Sequence, residues 1–436
     1  MSSQRLAREL GTWSATAVVV STIIGSGIFR VPGPVAAQAG TTGSIALLWV
    51  LGGVIALCGA LSLAELATTF PRTGGIYVFL RETYGPWAAF LFGWAMLVIS
   101  PASYAFVALI GAESLAFLIP PLRGSERVVA AISLVALVAI NVRPIRFGAV
   151  FLNSTTWIKV GVLVGLSAAA IAFADKPPIT AFEVAPRSWP GFGLALVLVM
   201  GAYDGWQWVP QLAGEMRNPT RSLPRALGLG VLVVTAVYLI ANASNLLVLT
   251  TEELATSTLV TTEVATRLVG PGGGSFVAML IVFATFSANH AGMMSDPRVF
   301  YAMAEDGLFF RAVAAVHARH RTPYVAVALI GISAIAYLFV RTFEQLVGTF
   351  ILGMWPFLAL SVTAVLIQRR RQPHLPRPFR VPMYPLVPIA FLAACAGIFA
   401  NSFAEQPLFT SINIAALVAG LPVYWLWRRY AVQVRP

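Results

Sequence analysis

Charge is scarce in this chain. Only 11% of its 436 residues are charged, where a soluble domain carries about 25%. Acidic residues are the rarer kind, 17 against 29 basic ones, for a net charge of +12. Cysteine is nearly absent. Cys58 and Cys395 both stand in apolar runs, which excludes a disulfide framework and reads as two small buried hydrophobes. There is no zinc-ligand spacing, Walker loop, haem signature or nucleophile elbow. A membrane enzyme or sensor would need such a cluster at a membrane face, so neither is favoured and no cofactor is expected. Met1 to Gly11 is polar and leads into a long apolar run without a small-residue cleavage site, so a cleavable signal peptide is not expected.

Apolar residues fill the space that charge leaves. They make up 58% of the chain, with a mean hydropathy of +0.81. No soluble core absorbs that much, which points to an all-α integral membrane protein. A spanning helix needs about 20 mostly apolar residues. Twelve segments qualify: 12–39, 43–69, 86–119, 127–142, 147–173, 190–214, 225–249, 273–303, 323–340, 343–368, 383–402 and 408–428. The third and eighth are long, and the fourth is short. With both termini cytoplasmic, 21 of the 29 basic residues fall on the cytoplasmic side and 6 on the other, while Arg30 and Lys159 lie inside segments. This is the positive-inside pattern. It accounts for the net charge without nucleic acid and places the chain in the plasma (inner) membrane, with the lipid bilayer as its surroundings.

Two sets of five segments, 12–173 and 190–369, enter from opposite faces, which is the geometry of an inverted repeat. Segments over 383–428 follow as two peripheral helices, and 1–11 and 429–436 remain as cytoplasmic ends. The first member of each set is interrupted. Segment 1 carries Gly25-Ser26-Gly27 between Val19 and Pro34; segment 6 carries Gly201, Asp204 and Gly205. Glycine costs roughly 1 kcal/mol in a helix interior, and broken helices at bilayer depth occur only where freed backbone lines a cavity or is buried in protein. Matching breaks in two halves point to a transporter binding site. A gly-rich packing notch is the bland alternative.

The chemistry follows from the dipoles. Unwinding at Ser26-Gly27 frees amides at the start of a half-helix over 28–39, which suits a carboxylate. The second break frees the carbonyls of Gly201, Ala202 and Tyr203, which suit an ammonium group. Together they would hold a zwitterion, an α-amino acid. Asp204 is a functional candidate as an intramembrane acid, or else the N-cap of a half-helix over 205–215; both readings stand. Tyr203, Trp206 and Trp208 read as packing or pocket wall. Lys159 lies about 18 Å from the start of segment 5 at 1.5 Å per residue. That is too deep to snorkel, so it reads as a fixed cation or a proton carrier. Glu65 and Glu113 read as inter-helix hydrogen bonders, and His290 as a structural one. The stretch from Thr251 to Arg267 is either a short amphipathic lid or a surface loop, and Arg369 to Pro382 is a basic, proline-rich linker.

Several strings taken in order, IIGSGIFRVPG, AELATTFPRTGGIYVFLRETYGP, AYDGW, GEMRNPTRSLPRA, RVFYAMAEDGLFF and RPFRVPMYPLVP, resemble the amino acid–polyamine–organocation superfamily, and its L-type amino acid transporter branch most. The resemblance spans segments 1 to 11. It implies the LeuT fold, with five plus five inverted helices and two peripheral ones, and alternating-access transport of amino acids, often by sodium-independent exchange. It assigns the carboxylate turn to Gly25, Ser26 and Gly27, and the amine-binding carbonyls to Gly201, Ala202 and Tyr203. It assigns to Lys159 the region of a sodium site in related transporters, with the carbonyls of Ile24 and Gly25 and a segment 8 hydroxyl, Ser287 or Thr285, as its neighbours. Two departures stand out. Gly201 replaces a large aromatic gate residue, which implies a roomier pocket or a gate supplied from elsewhere, and Asp204 stands where animal relatives often have glycine. The loop from Pro120 to Arg127 lacks the cysteine that links animal members to a glycoprotein, so no disulfide-linked heavy subunit is expected and a prokaryotic single-subunit protein fits best. A proton-coupled symporter, or a transporter of cationic amino acids or polyamines, is the alternative.

Overall fold

Glycine and proline punctuate the apolar runs, and the helices follow that punctuation. The structure, a computed structural model, describes residues 11–71, 74–142, 148–173, 183–216, 218–310, 312, 313, 315 and 323–433. Their long regular elements are all helices. The first apolar segment holds α1 (Thr12–Ile23), α2 (Gly27–Arg30) and α3 (Pro32–Ala39). Then come α4 (Thr42–Thr69), α5 (Ile76–Tyr84), α6 (Pro86–Val98), α7 (Pro101–Leu118), α8 (Glu126–Asn141), α9 (Gly148–Phe173) and α10 (Trp189–Ala202). A 3-10 helix, Trp206–Glu215, leads to α11 (Pro219–Val248), the short α12 (Thr251–Thr256) and α13 (Val260–Val269), α14 (Pro271–Ser295) and α15 (Pro297–Glu305). The chain closes with α16 (Tyr324–Val340), α17 (Phe343–Arg371), α18 (Leu386–Glu405), α19 (Pro407–Val418) and α20 (Gly420–Gln433).

Among the described residues, seven helices are long and apolar enough to cross a membrane by length and composition, where the sequence expects twelve spans. Segments 1 and 6 fall short because they are broken. Segment 4 is the 16-residue α8, segment 9 the 17-residue α16, and the side chains of segment 5 are described only from Ile158. Several boundaries differ from the sequence reading. Segment 3 divides at Ile99–Ser100, where both amides bond to the Ala95 carbonyl (2.8 and 3.0 Å) before Pro101 opens α7; the doubled acceptor marks one residue of over-wide turn. Segment 8 stops at Ser295 instead of running to 303, because Pro297 cannot donate to the preceding turn and opens α15. α5, between Gly75 and Gly85, belongs to none of the twelve.

In lipid, helices gain little from hiding apolar surface against each other, and close approach at small residues takes over. The most extensive helix pairings are α4 with α11 and α7 with α14, and glycines line both. A Cβ at Gly53 would lie 2.4 Å from Thr235 Oγ1 of α11, and one at Gly111 2.4 Å from Thr285 Oγ1 of α14. On α4, Gly52 takes Val199 of α10 in the same way, and Gly59 takes Trp206.

Ion pairs mark the two ends of the bundle. At one end, Glu65 of α4 accepts from Arg369 through both oxygens (2.8 and 2.6 Å) and from the Val381 amide (2.7 Å). Arg369 also stacks 3.8 Å from the Tyr384 ring centroid. This fastens the basic linker to the bundle. Nearby, Tyr77 and Arg81 of α5 both donate to Asp306 Oδ2. At the other end, Arg30 of α2 meets Glu113 of α7. Both glutamates thus bond between helices, as their sequence positions suggest. We refer to the two ends as the Glu65 face and the Glu113 face. The stretch from Thr251 to Arg267 forms α12 and α13 at the Glu113 face, and it packs directly on α3: a Cβ at Gly33 would lie 2.3 Å from the Ser257 carbonyl oxygen. A capping box, Thr250 with Glu253, starts α12. The Thr250 amide and Arg267 hold the Glu253 carboxyl down at about 2. The stretch therefore covers the second half of the first broken helix.

Candidate substrate site at two broken helices

α1 ends at Ile23. Ile24, Gly25 and Ser26 bend, and helical backbone resumes at Gly27 as α2, one residue earlier than the sequence suggests, then continues through Val31 into α3. Gly25 donates to the Ile23 carbonyl (2.7 Å) and Val31 to the Gly27 carbonyl (2.8 Å). The amides of Ser26, Gly27 and Ile28 have no backbone acceptor among the described residues. Gly25 and Gly27 remain half-buried while Ser26 is buried. Three free donors at the start of a helix are the elements of an anion site.

The second break has the opposite polarity. α10 ends at Ala202, and Tyr203, Asp204 and Gly205 form the turn. The carbonyls of Gly201 and Tyr203 have no backbone donor among the described residues. That of Ala202 accepts from the Tyr238 hydroxyl at 2.9 Å, so of the three carbonyls expected to meet an amine, one is already engaged. The half-helix after the turn is a 3-10 helix that begins at Trp206. The Asp204 carboxylate accepts from the side-chain amide of Gln207, whose oxygen in turn accepts from the Gly205 amide (3.0 Å). Asp204 thus meets the turn through Gln207.

The two breaks touch. A Cβ at Gly27 would lie 3.1 Å from Ala202 Cα. Gly205 has φ +126°, in the range that favours glycine, and a Cβ there would lie 2.3 Å from the Thr22 carbonyl oxygen. Tyr238 of α11 sets its hydroxyl 3.0 Å from the Ile23 carbonyl as well as 2.9 Å from that of Ala202, so one proton is shared between the ends of α1 and α10. Its ring packs edge-on against Trp49 and Tyr203 (centroids 5.4 and 5.1 Å), and Tyr203 donates to the Trp49 carbonyl (3.0 Å). Tyr238 escaped the sequence reading because a tyrosine in an apolar helix has no local sign of which backbone it faces.

Lys159 of α9 is 5% exposed, and its ammonium donates to the Ile24 carbonyl at 2.9 Å, at the first residue of the first break. The segment 8 hydroxyls are not brought to it. Thr285 donates back to the Ile281 carbonyl of its own helix (2.9 Å) and packs on Gly111. The Ser287 hydroxyl is buried with no partner among the described residues. His290 Nδ1 is likewise buried with no partner among the described residues. Those residues include no group of three or more His, Cys, Asp or Glu side chains that could hold a metal.

At Gly201 the space is occupied. A Cβ there would lie 2.5 Å from Cγ1 of Val347 in α17, and Val347 is buried. The space that an aromatic side chain at this position would take is therefore filled by a valine of another helix.

A sequence model described as amino acid permease matches residues 10–426 of the chain. The chain is similar to the serine/threonine exchanger SteT of Bacillus subtilis (strain 168), with 33% identity over 424 residues, covering 96% of this chain and 97% of that protein. It is similar also to b(0,+)-type amino acid transporter 1 of Homo sapiens, 29% identical over 435 residues (98% of this chain, 89% of that one). Large neutral amino acids transporter small subunit 2 of Mus musculus is 30% identical over 438 residues (97% and 81%).

Proposed function

The chain belongs to the amino acid permease family, whose members here are transporters and not enzymes, and from that premise we propose that it carries amino acids across the plasma membrane by alternating access, as a sodium-independent exchanger or facilitator. The observation that carries the reading is the contact of two oppositely polarised breaks. The free amides of Ser26, Gly27 and Ile28 receive the α-carboxylate, and the free carbonyls of Gly201 and Tyr203 receive the α-ammonium. Lys159 holds the Ile24 carbonyl and so acts as a fixed cation in the gate at the Glu65 face. In this reading the chain has the LeuT fold: twelve spans, inverted repeats over 12–173 and 190–369, two peripheral helices over 383–428, both termini cytoplasmic, and no disulfide-linked heavy subunit.

Uptake of a panel of radiolabelled amino acids into proteoliposomes, with and without sodium, a pH gradient and internal amino acid, tests this. Uptake is expected to be stimulated by internal amino acid and indifferent to sodium. No uptake of any panel member, or a strict sodium requirement, refutes it. A proton-coupled or cation-carrying mode has one observation in its favour, the half-buried Asp204 carboxylate beside the amine carbonyls. That mode predicts uptake driven by the pH gradient, or a preference for lysine and putrescine in the same panel.

A further inference from the structure

The Glu65 face carries a run of arginines that the proposed function leaves unused. From Arg369 to Pro382 the chain holds five arginines and no acidic residue. Glu65 serves two of them. Arg369 takes both of its oxygens, and Arg377 Nε lies 3.7 Å from Oε1. Arg377 also donates to the carbonyls of Gln368 (2.7 Å), Gln372 (2.9 Å) and Leu375 (3.0 Å), which folds the linker back under the last turn of α17. The Val381 amide, bonded to Glu65, closes the other end of that fold. Arg370, Arg371 and Arg380 are left over. All three are exposed, and none meets a carboxylate among the described residues.

The three guanidinium groups are therefore carried on a frame held by its own bonds. The positive-inside pattern accounts for arginines on this face, but not for a fold that gathers five of them around one carboxylate. Apolar surface begins directly beside them. Met383, Leu386 and Ile389 are 69%, 58% and 48% exposed, and the last two stand one turn apart on α18, which is long and apolar enough to cross a membrane. Charge at the membrane surface and uncovered apolar side chains below it match the two halves of a phospholipid. The planar guanidinium fits phosphate oxygens in pairs, and basic clusters next to a spanning helix attract anionic headgroups. We propose that Arg370, Arg371 and Arg380 hold the headgroup phosphate of an anionic glycerophospholipid, with an acyl chain laid along Leu386 and Ile389. The site is separate from the two breaks and does not depend on which substrate they take.

The test titrates the purified full chain in detergent with phosphatidylglycerol or phosphatidylcholine and counts bound lipid by native mass spectrometry. Wild type is expected to take its first phosphatidylglycerol more tightly than its first phosphatidylcholine. Arg370→Gln/Arg371→Gln/Arg380→Gln is expected to raise the Kd for that first phosphatidylglycerol at least about fivefold, the equivalent of about 1 kcal/mol and so of one arginine at a membrane surface. Its Kd for phosphatidylcholine and its melting temperature should not move. The control, Arg221→Gln/Arg225→Gln/Arg428→Gln, removes the same charge from exposed positions near the ends of α11 and α20 and is expected to keep the wild-type Kd. Equal weakening by both triple variants shows a diffuse positive field and overturns the proposal. So does an absence of preference between the two lipids in wild type. Displacement of phosphatidylglycerol by soluble glycerol phosphate alone shows a site for free phosphate, and it overturns the lipid assignment. The measurement needs no transport, so a failure of the proposed function is read separately.

Discussion

Lys159→Met separates the gate from the scaffold. Methionine keeps the length and most of the volume of the lysine stem and removes the ammonium. In the native protein that ammonium donates to the Ile24 carbonyl at 2.9 Å in a buried setting. A hydrogen bond to a charged group is worth about 1.5–3 kcal/mol. Neutral bonds between membrane helices average nearer 0.6 kcal/mol, so the charge is what makes this one large. If the bond exists only while α1 is docked at the first break, its loss shifts the docked–undocked equilibrium by the same energy, a factor of about 10 to 150 at 0.59 kcal/mol per RT. Stability moves the other way or not at all, because replacing a buried charge by an apolar side chain of similar size is often neutral. The expected result is exchange in proteoliposomes reduced at least about tenfold, with the melting temperature of the purified protein retained. Exchange within twofold of wild type removes Lys159 from the mechanism. Parallel collapse of exchange and melting temperature makes the lysine a strut.

Two further substitutions probe the contact between the breaks. Gly205→Ala adds a side chain at φ +126° and 2.3 Å from the Thr22 carbonyl oxygen; strain and overpacking together cost about 2–6 kcal/mol. A sharply lower melting temperature and loss of transport are expected, while Gly165→Ala, in open space on α9, serves as the control that changes neither; a wild-type-like Gly205→Ala would show that the breaks do not press together. Val347→Ala frees the space beside Gly201. The ratio of kcat/KM for leucine over alanine should rise about tenfold or more, the usual worth of a methylene or two in an apolar pocket, and an unchanged ratio in uptake assays would place side-chain selection elsewhere.

The breaks were legible because they are local. Gly25 and Gly27, and Gly201 with Gly205, violate helix propensity within a few residues of themselves, and no tertiary information is needed to notice it. Glu65 and Glu113 were legible for the same reason, since a carboxylate in an apolar run must find a partner in another helix. What escaped the sequence was direction. Thr285 lies in the expected segment, but its hydroxyl bonds its own helix, while Tyr238, with nothing to mark it, spans both breaks. Segment lengths misled where hydropathy ran on past a backbone stop, as at Asp296-Pro297, where α14 ends and α15 begins.

Gly201 shows why an absent side chain is the hardest feature to read. A missing aromatic reads as empty space when only the sequence around it is seen. Packed interiors do not keep such space, and here a residue 146 positions later, Val347, takes it up. The consequence reaches function. The groups that would recognise the amine, the carbonyls of Gly201 and Tyr203, belong to the end of α10 and the turn that follows it. The side chain that packs beside Gly201 belongs to α17. On the proposed reading, recognition of the amino acid backbone and selection of its side chain would rest on different helices, and a change at Val347 would alter which amino acids are accepted without disturbing how an amino acid is held.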